Sequence, residues 1–182
     1  MLLESATSTA ENTQPEPTLT PVAGIRLGDY ELQEELGKGA MGVVYRARQI
    51  ALDRFVAIKV LRPELYANPG YVERFLREAR AAAQLNHPNI IQIYDACVAD
   101  QVYFFVMELV DGMNLTQMLR ASGQISERDS LLIIQQAAEG LAFTHNYGIV
   151  HRDVKPENLM LTSYGSVKVC DLGLAKWKPP IH

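Results

Sequence analysis

Cysteine is nearly missing from this chain, with two among 182 residues. Cys97 and Cys170 stand far apart, without a Cys-x-x-Cys pair or a histidine at ligand spacing, so neither a disulfide framework nor a zinc site is expected. A reducing compartment fits this usage, and the cytoplasm is the expected location. Long apolar runs are lacking too. The best of them, Val102 to Val110, is short and interrupted by Glu108, so it reads as a buried strand and not as a membrane segment. Positive charge is thin: 17 Lys and Arg against 21 Asp and Glu leave a net charge of −4. With no dense basic run, nucleic acid is not an expected partner. Leu2 and Leu3 have no basic flank, no apolar core of signal length follows, and the first positive residue is Arg26, so no targeting segment is recognised.

What remains is the composition of one soluble domain, 48% hydrophobic and long enough for a sizeable core. Residues 1 to 28 are rich in Thr, Ser, Glu and Pro and lack apolar periodicity, so they are expected to be a disordered tail. Its hydroxyls are candidates for phosphorylation, a solvated linker being the plainer reading. Order is expected from Tyr30. There an extended run leads into Gly37-Lys38-Gly39-Ala40-Met41-Gly42 and out through Val43 to Arg48, a hairpin pattern. Glycines at 37, 39 and 42 allow backbone N–H groups to approach phosphate oxygens closely. In a dinucleotide-binding fold the same spacing opens a helix, whereas the β-branched run here continues as a strand.

Phe55 to Leu61 is an apolar strand carrying one lysine. Alternation puts Phe55, Ala57, Lys59 and Leu61 on one face, so a buried Lys59 needs an anionic partner. From Gly70 to Asn86 the period turns helical, with Tyr71, Phe75, Ala82 and Leu85 on a stripe that also carries Glu78. Glu78 is the expected partner of Lys59, Glu73 off the stripe being the alternative, and Pro88 is expected to end the helix. Ile90 to Ala96 and Val102 to Met107 read as strands joined by a turn at Ala99-Asp100-Gln101. Ser126-Glu127-Arg128-Asp129 has the form of a capping box, followed by Leu131, Ile134, Ala138, Leu141 and His145 at helical spacing up to Gly148. Leu159 to Leu161 and Val167 to Cys170 make a second hairpin, which leads into Asp171-Leu172-Gly173. Cys170 reads as a buried apolar cysteine, the alternative being a reactive thiol.

Between these last two elements lies His151-Arg152-Asp153-Val154-Lys155-Pro156-Glu157-Asn158. With the ordered G-x-G-x-x-G-x-V, Val56-Ala57-Ile58-Lys59 and Asp171-Leu172-Gly173, it makes the chain resemble the eukaryotic-like serine/threonine protein kinases, in particular their bacterial members. The resemblance implies an α+β, two-lobed fold: a small lobe over 29–107, a hinge over 108–112 and the first part of a helical large lobe over 113–182. It extends from about Tyr30 to Lys176 and meets no Ala-Pro-Glu motif, so a C-terminally truncated kinase fold is expected.

The same resemblance implies ATP and magnesium as cofactors, with manganese as the alternative ion, and a protein substrate bearing a serine or threonine hydroxyl. Asp153 is then the acceptor of the hydroxyl proton. Lys155 stabilises the transferred group, and Lys59, held by Glu78, orients the phosphates. Asn158 and Asp171 bind the metal. ATP is expected against Leu36, Gly37, Lys38, Gly39, Ala40, Met41, Gly42 and Val44 above, and Ala57 and Lys59 behind. Met107, Glu108 and Val110 lie along the hinge, with Met160 below. Met107 would guard the back of the adenine pocket, and the backbone of Glu108 and Val110 would hydrogen-bond the ring. His151 is expected to brace the loop, and Arg152 to answer to a phosphorylated activation segment. Leu172 replaces the family's usual phenylalanine, which the metal-binding carboxylate does not require. Two other readings are a nucleotide-binding or scaffold module without transfer and a small-molecule phosphotransferase of similar fold. For the chain by itself, weak Mg-ATP binding without useful peptide phosphorylation is expected.

Overall fold

The computed structural model describes residues 24–172. Period-two alternation builds its first half. Strands β1 (Arg26–Leu27), β2 (Tyr30–Lys38), β3 (Gly42–Gln49), β4 (Arg54–Leu61), β5 (Ile93–Ala99) and β6 (Val102–Met107) form one antiparallel sheet in the order β1-β2-β3-β4-β6-β5. Val56, Ile58 and Val60 of β4 join Leu32, Tyr45, Ala47, Phe104 and Val106 in one buried core. Ala57 and Lys59 face the other way, into a cleft. Helix α1 (Pro69–Ala83) lies against β5 and β6. Its start is set locally: the Asn68 side chain accepts from Gly70 N at 3.0 Å, and Pro69 occupies the first turn, where no N–H is needed.

The second half is helical, with a small sheet. It comprises β7 (Gly112–Asn114), α2 (Leu115–Ser122), α3 (Glu127–Asn146), β8 (Leu159–Thr162) and β9 (Val167–Val169), the three strands pairing in the order β7-β8-β9. Its core is shared with the segment after α1, since Leu85, Ile90, Ile91 and Ile93 cluster with Ile133, Ala137, Leu159, Val167 and Val169. Backbone bonds join the same pieces: Ile91 N donates to Val169 O at 3.0 Å, and Val169 N to Asn89 O at 2.8 Å. This fixes the floor of the cleft relative to its roof. Among the described residues no helix is long and apolar enough to cross a membrane.

The α+β architecture is the one the sequence predicts, with differences in detail. Residues 24–28 do not belong to a structureless tail: Arg26–Leu27 pairs with Glu31 and Tyr30, and Leu27 is buried. Helix α1 stops at Ala83, before Pro88 can act. Leu85 completes the apolar stripe from outside the helix, while Tyr71, expected on that stripe, is exposed. Strand β5 begins at Ile93 and not at Ile90, because Ile90 and Ile91 are engaged with β9 instead of β6. The turn after β5 agrees with its sequence: Asp100 and Gln101 take φ of 49° and 62°, the left-handed pair that a two-residue hairpin needs.

Helix α3 is rotated relative to the predicted face. Ile133, Ala137, Gly140 and Thr144 are buried, whereas Leu131 and Ile134 are 65% and 61% exposed. Close approach selects the buried face, since a Cβ on Gly140 would stand 2.8 Å from Asn89 O. Ser126 caps the helix as predicted, accepting from Asp129 N at 3.1 Å. Gly148 follows it at φ 72°.

Candidate active site

The sheet and the β8–β9 hairpin enclose a cleft of about 350 Å³. Leu36, Gly37, Met41 and Val44 form its roof, Ala57 and Lys59 its back, Met107, Glu108 and Val110 its side, and Asn158, Met160 and Asp171 its floor. Residues far apart in sequence are thus brought together as the sequence predicts. Lys38, Gly39, Ala40 and Gly42 are not among the lining residues. Lys38 reaches back to Glu35 at 3.2 Å, and Gly39 N closes the turn on Gly42 O at 2.8 Å.

The glycines differ in what requires them. A Cβ at Gly42 would stand 2.2 Å from Val60 O, so β4 demands that glycine. Gly37 and Gly39 have no positive φ, a Cβ at 37 would meet nothing within 4 Å, and one at 39 only Gly42 O at 3.8 Å. Contacts among the described residues do not explain these two glycines.

Lys59 is 12% exposed at its side chain and forms an ion pair with Asp171, with its Nζ 5.9 Å from the Phe105 ring centroid. The anionic partner that a buried lysine needs is therefore supplied by the floor of the cleft. Glu78 lies on α1, but its side chain is outside the described residues; Glu73 is exposed. Asp171 takes φ 56°, a conformation unusual for a residue with a Cβ. Neighbours hold it there: Cys170 N donates to Asn158 O at 2.8 Å, the His151 ring meets Cys170 O at 2.9 Å, and Leu172 is buried in the shared core.

The loop from His151 to Asn158 is braced from within. His151 is 1% exposed; its Nδ1 accepts from Asp153 N at 3.3 Å, which leaves Nε2 to donate to Cys170 O. Asp153 Oδ2 lies 2.8 Å from Lys155 Nζ, and Asn158 Nδ2 donates to Asp153 O at 2.8 Å and to Oδ2 at 3.2 Å. The hydrogen bond from Lys155 holds the Asp153 carboxyl below its ordinary value, and the same bond raises the Lys155 ammonium. Asp153 is thus an exposed, ionised acceptor bonded to Asn158, and neither it nor Lys155 is among the cleft's lining residues. Asn158, with its N–H₂ committed to Asp153, has its carbonyl oxygen left as an acceptor.

The donor set suits a hard cation that keeps water and phosphate in its shell. Among the described residues no group of three or more His, Cys, Asp or Glu could cage a metal by itself. Asn158 and Asp171 offer two oxygens on one wall, the arrangement magnesium uses when phosphates complete its shell. Burial pushes the Cys170 thiol up to about 12, with Asp171 and Glu108 adding to it, a direction opposite to that of a reactive thiol, although the residue is half-buried and lines the cleft.

Sequence reasoning missed Ile93, Phe105, Asn114 and Gln117, which also line the cleft. Asn114 and Gln117 had a readable signal. They form a reciprocal capping box on α2, each side chain accepting from the other's backbone N at 2.9 Å. Phe105 and Ile93 carry only the strand pattern, which does not say which face meets a ligand.

Comparison with known proteins bears on the family and the fold. The model of the protein kinase domain family matches residues 30–179. Serine/threonine-protein kinase PrkC of Bacillus subtilis is 44% identical over 149 residues, 81% of this chain and 23% of PrkC. Serine/threonine-protein kinase PknB of Mycolicibacterium smegmatis is 45% identical over 151 residues, 81% of this chain and 24% of PknB. The chain thus spans about a quarter of the length of these curated relatives. Among solved structures, the PknI kinase domain of Mycobacterium tuberculosis aligns with a TM-score of 0.74 at 33% identity, covering 85% of this chain and 62% of that one. The apo form of PpkA-294 aligns at 0.77 with 22% identity, covering 84% of this chain and 61% of that one, a likeness of fold alone.

Proposed function

The chain belongs to the protein kinase family, and from that premise we propose that its cleft binds Mg-ATP and directs the γ-phosphoryl group to serine or threonine hydroxyls of proteins. One observation carries the reading: Lys59, Asn158 and Asp171 converge on the cleft, with the Asp153–Lys155 pair on the loop that holds Asn158. Leu36, Val44, Ala57, Met107 and Met160 sandwich the purine. Glu108 N is already bonded to Gln92 O at 2.9 Å, so Glu108 offers the ring its carbonyl. Val110 then supplies the neighbouring N–H. Gly37 to Gly42 cover the phosphates, with Lys38, Gly39 and Ala40 at the turn. Lys59, released from Asp171, neutralises phosphate charge, a role in which Glu78 holds it.

Asn158 and Asp171 would hold magnesium, which when bound would neutralise charge on the nucleotide's phosphates. Asp153 stands ionised where an acceptor hydroxyl loses its proton. Lys155, paired with it at 2.8 Å, places a positive charge beside the same position. Such a lysine two residues after the aspartate favours serine and threonine over tyrosine.

The test is a calorimetric titration of the chain with Mg-ATP, paired with radiolabel transfer to a serine/threonine substrate by the chain continued through a complete large lobe, since the chain by itself is expected to bind weakly and not to transfer. Binding that Lys59→Met weakens, with transfer that Asp153→Asn removes, supports the proposal. Binding without Asp153-dependent transfer would support a nucleotide-binding module instead.

A further inference from the structure

We propose that Glu108 and Lys168 form a positioning pair that aims the Glu108 carbonyl at the purine and so sets a preference for a 6-amino over a 6-oxo base. The inference rests on the nucleotide reading above. Lys168 Nζ lies 2.7 Å from Glu108 Oε1, and each side chain is only 19% exposed. Surface pairs among the described residues are far wetter: Lys38–Glu35 is 60% and 40% exposed, Arg48–Asp53 46% and 75%, and only Lys59, at 12% against 45% for Asp171, is drier than Lys168. Attraction between the shielded groups is screened less by water and salt than at those surface sites. Oε1 has no partner in hydrogen-bonding alignment, so the link is one of charge.

Where the pair sits gives it a use. In β9, Val167 and Val169 are fully buried and Lys168 faces the opposite side, directly across from Met160 in the β8 register. Met160 and Cys170, on that same side, line the cleft, and Asp171 follows. The lysine therefore rises from the strand that delivers Asp171 and ends on the first residue after β6. Glu108 is tied at two points, through its N–H to Gln92 O and through its carboxylate to Lys168. Rotation of this residue about its own backbone is restricted by both ties, and the direction of its carbonyl with it.

A carbonyl so aimed accepts from the 6-amino group of adenine. The 6-oxo group of hypoxanthine would face it with a second acceptor. Loss of either charge frees the segment and leaves the other charge shielded and unpaired. Lys168 itself is not a cleft-lining residue, so its effect on base choice would pass through Glu108.

Dissociation constants of ATP and inosine triphosphate, both with magnesium, are to be measured for the intact chain, for Glu108→Lys, for Lys168→Glu and for the double exchange. Glu108→Gln and Lys168→Met give the same reading without charge reversal if a reversed variant does not fold. The single variants are expected to narrow the preference for ATP by at least about threefold, and the double exchange to restore it. An unchanged preference overturns the pairing role, and so does a parallel weakening of both nucleotides, which would mark a purely structural pair. If the unaltered chain binds neither nucleotide, the nucleotide reading falls and takes this inference with it.

Discussion

Asp153 and Lys155 illustrate how one short loop sets its own charge state. The lysine holds the carboxyl below its ordinary value of 3.8, so the ionised form persists until the pH falls through that lowered value. Between about pH 5 and pH 8 a change in transfer rate is therefore not expected to come from Asp153. Lys155→Met should lower the rate without adding an acid limb in that range, which a pH–rate profile checks. Asp153→Asn, tested like Lys155→Met in the chain continued through a complete large lobe, is expected to lower transfer to a protein serine by about 10²- to 10⁴-fold. The Mg-ATP dissociation constant should stay within about threefold, because the carboxylate faces the acceptor and not the nucleotide. These residues were legible because the loop is contiguous in sequence. The Lys59–Asp171 contact was not, since it joins residues 112 apart and depends on how the hairpin before Asp171 sits.

Helix α3 shows where periodicity runs out. Its apolar residues populate more than one stripe, so spacing alone could not decide between the face with Leu131 and Ile134 and the face with Ile133 and Ala137. The decision came from outside the helix: Asn89 O lies where a side chain at Gly140 would stand, and Asn89 Nδ2 reaches Gln136 Oε1 at 3.2 Å and Val167 O at 2.8 Å. Contacts 47 and 78 residues apart leave no local pattern. Ile133→Ala is expected to destabilise the chain by about 2 to 4 kcal/mol, while Ile134→Ala should stay within about 0.5 kcal/mol. Denaturant midpoints compare the two directly, and equal losses would mean that the helix is rotated from the observed face. Gly140→Ala should also destabilise, by about 1 to 3 kcal/mol, as its methyl meets a backbone carbonyl that cannot swing away.

For the molecule as a whole, the groups that burial perturbs most share one sign. Cys97 and Cys170 are both pushed up to about 12, and the hydroxyls of Tyr30, Tyr45 and Tyr66 are raised, in every case chiefly by burial. Each keeps its proton longer folded than unfolded, so their contribution is complete below the ordinary thiol value of 9.0 and fades as the pH rises toward the folded values. The melting temperature is expected to fall progressively above about pH 9, and a flat profile to about pH 10.5 would contradict this. The central claim, that the wall formed by Asn158 and Asp171 holds magnesium on a bound nucleotide, is tested most directly by titrating ATP into the chain with magnesium and with chelator. Binding at least about tenfold tighter with magnesium is expected, with loss of that advantage in Asp171→Asn. Equal affinity under both conditions, or a magnesium advantage that survives Asp171→Asn, would contradict it.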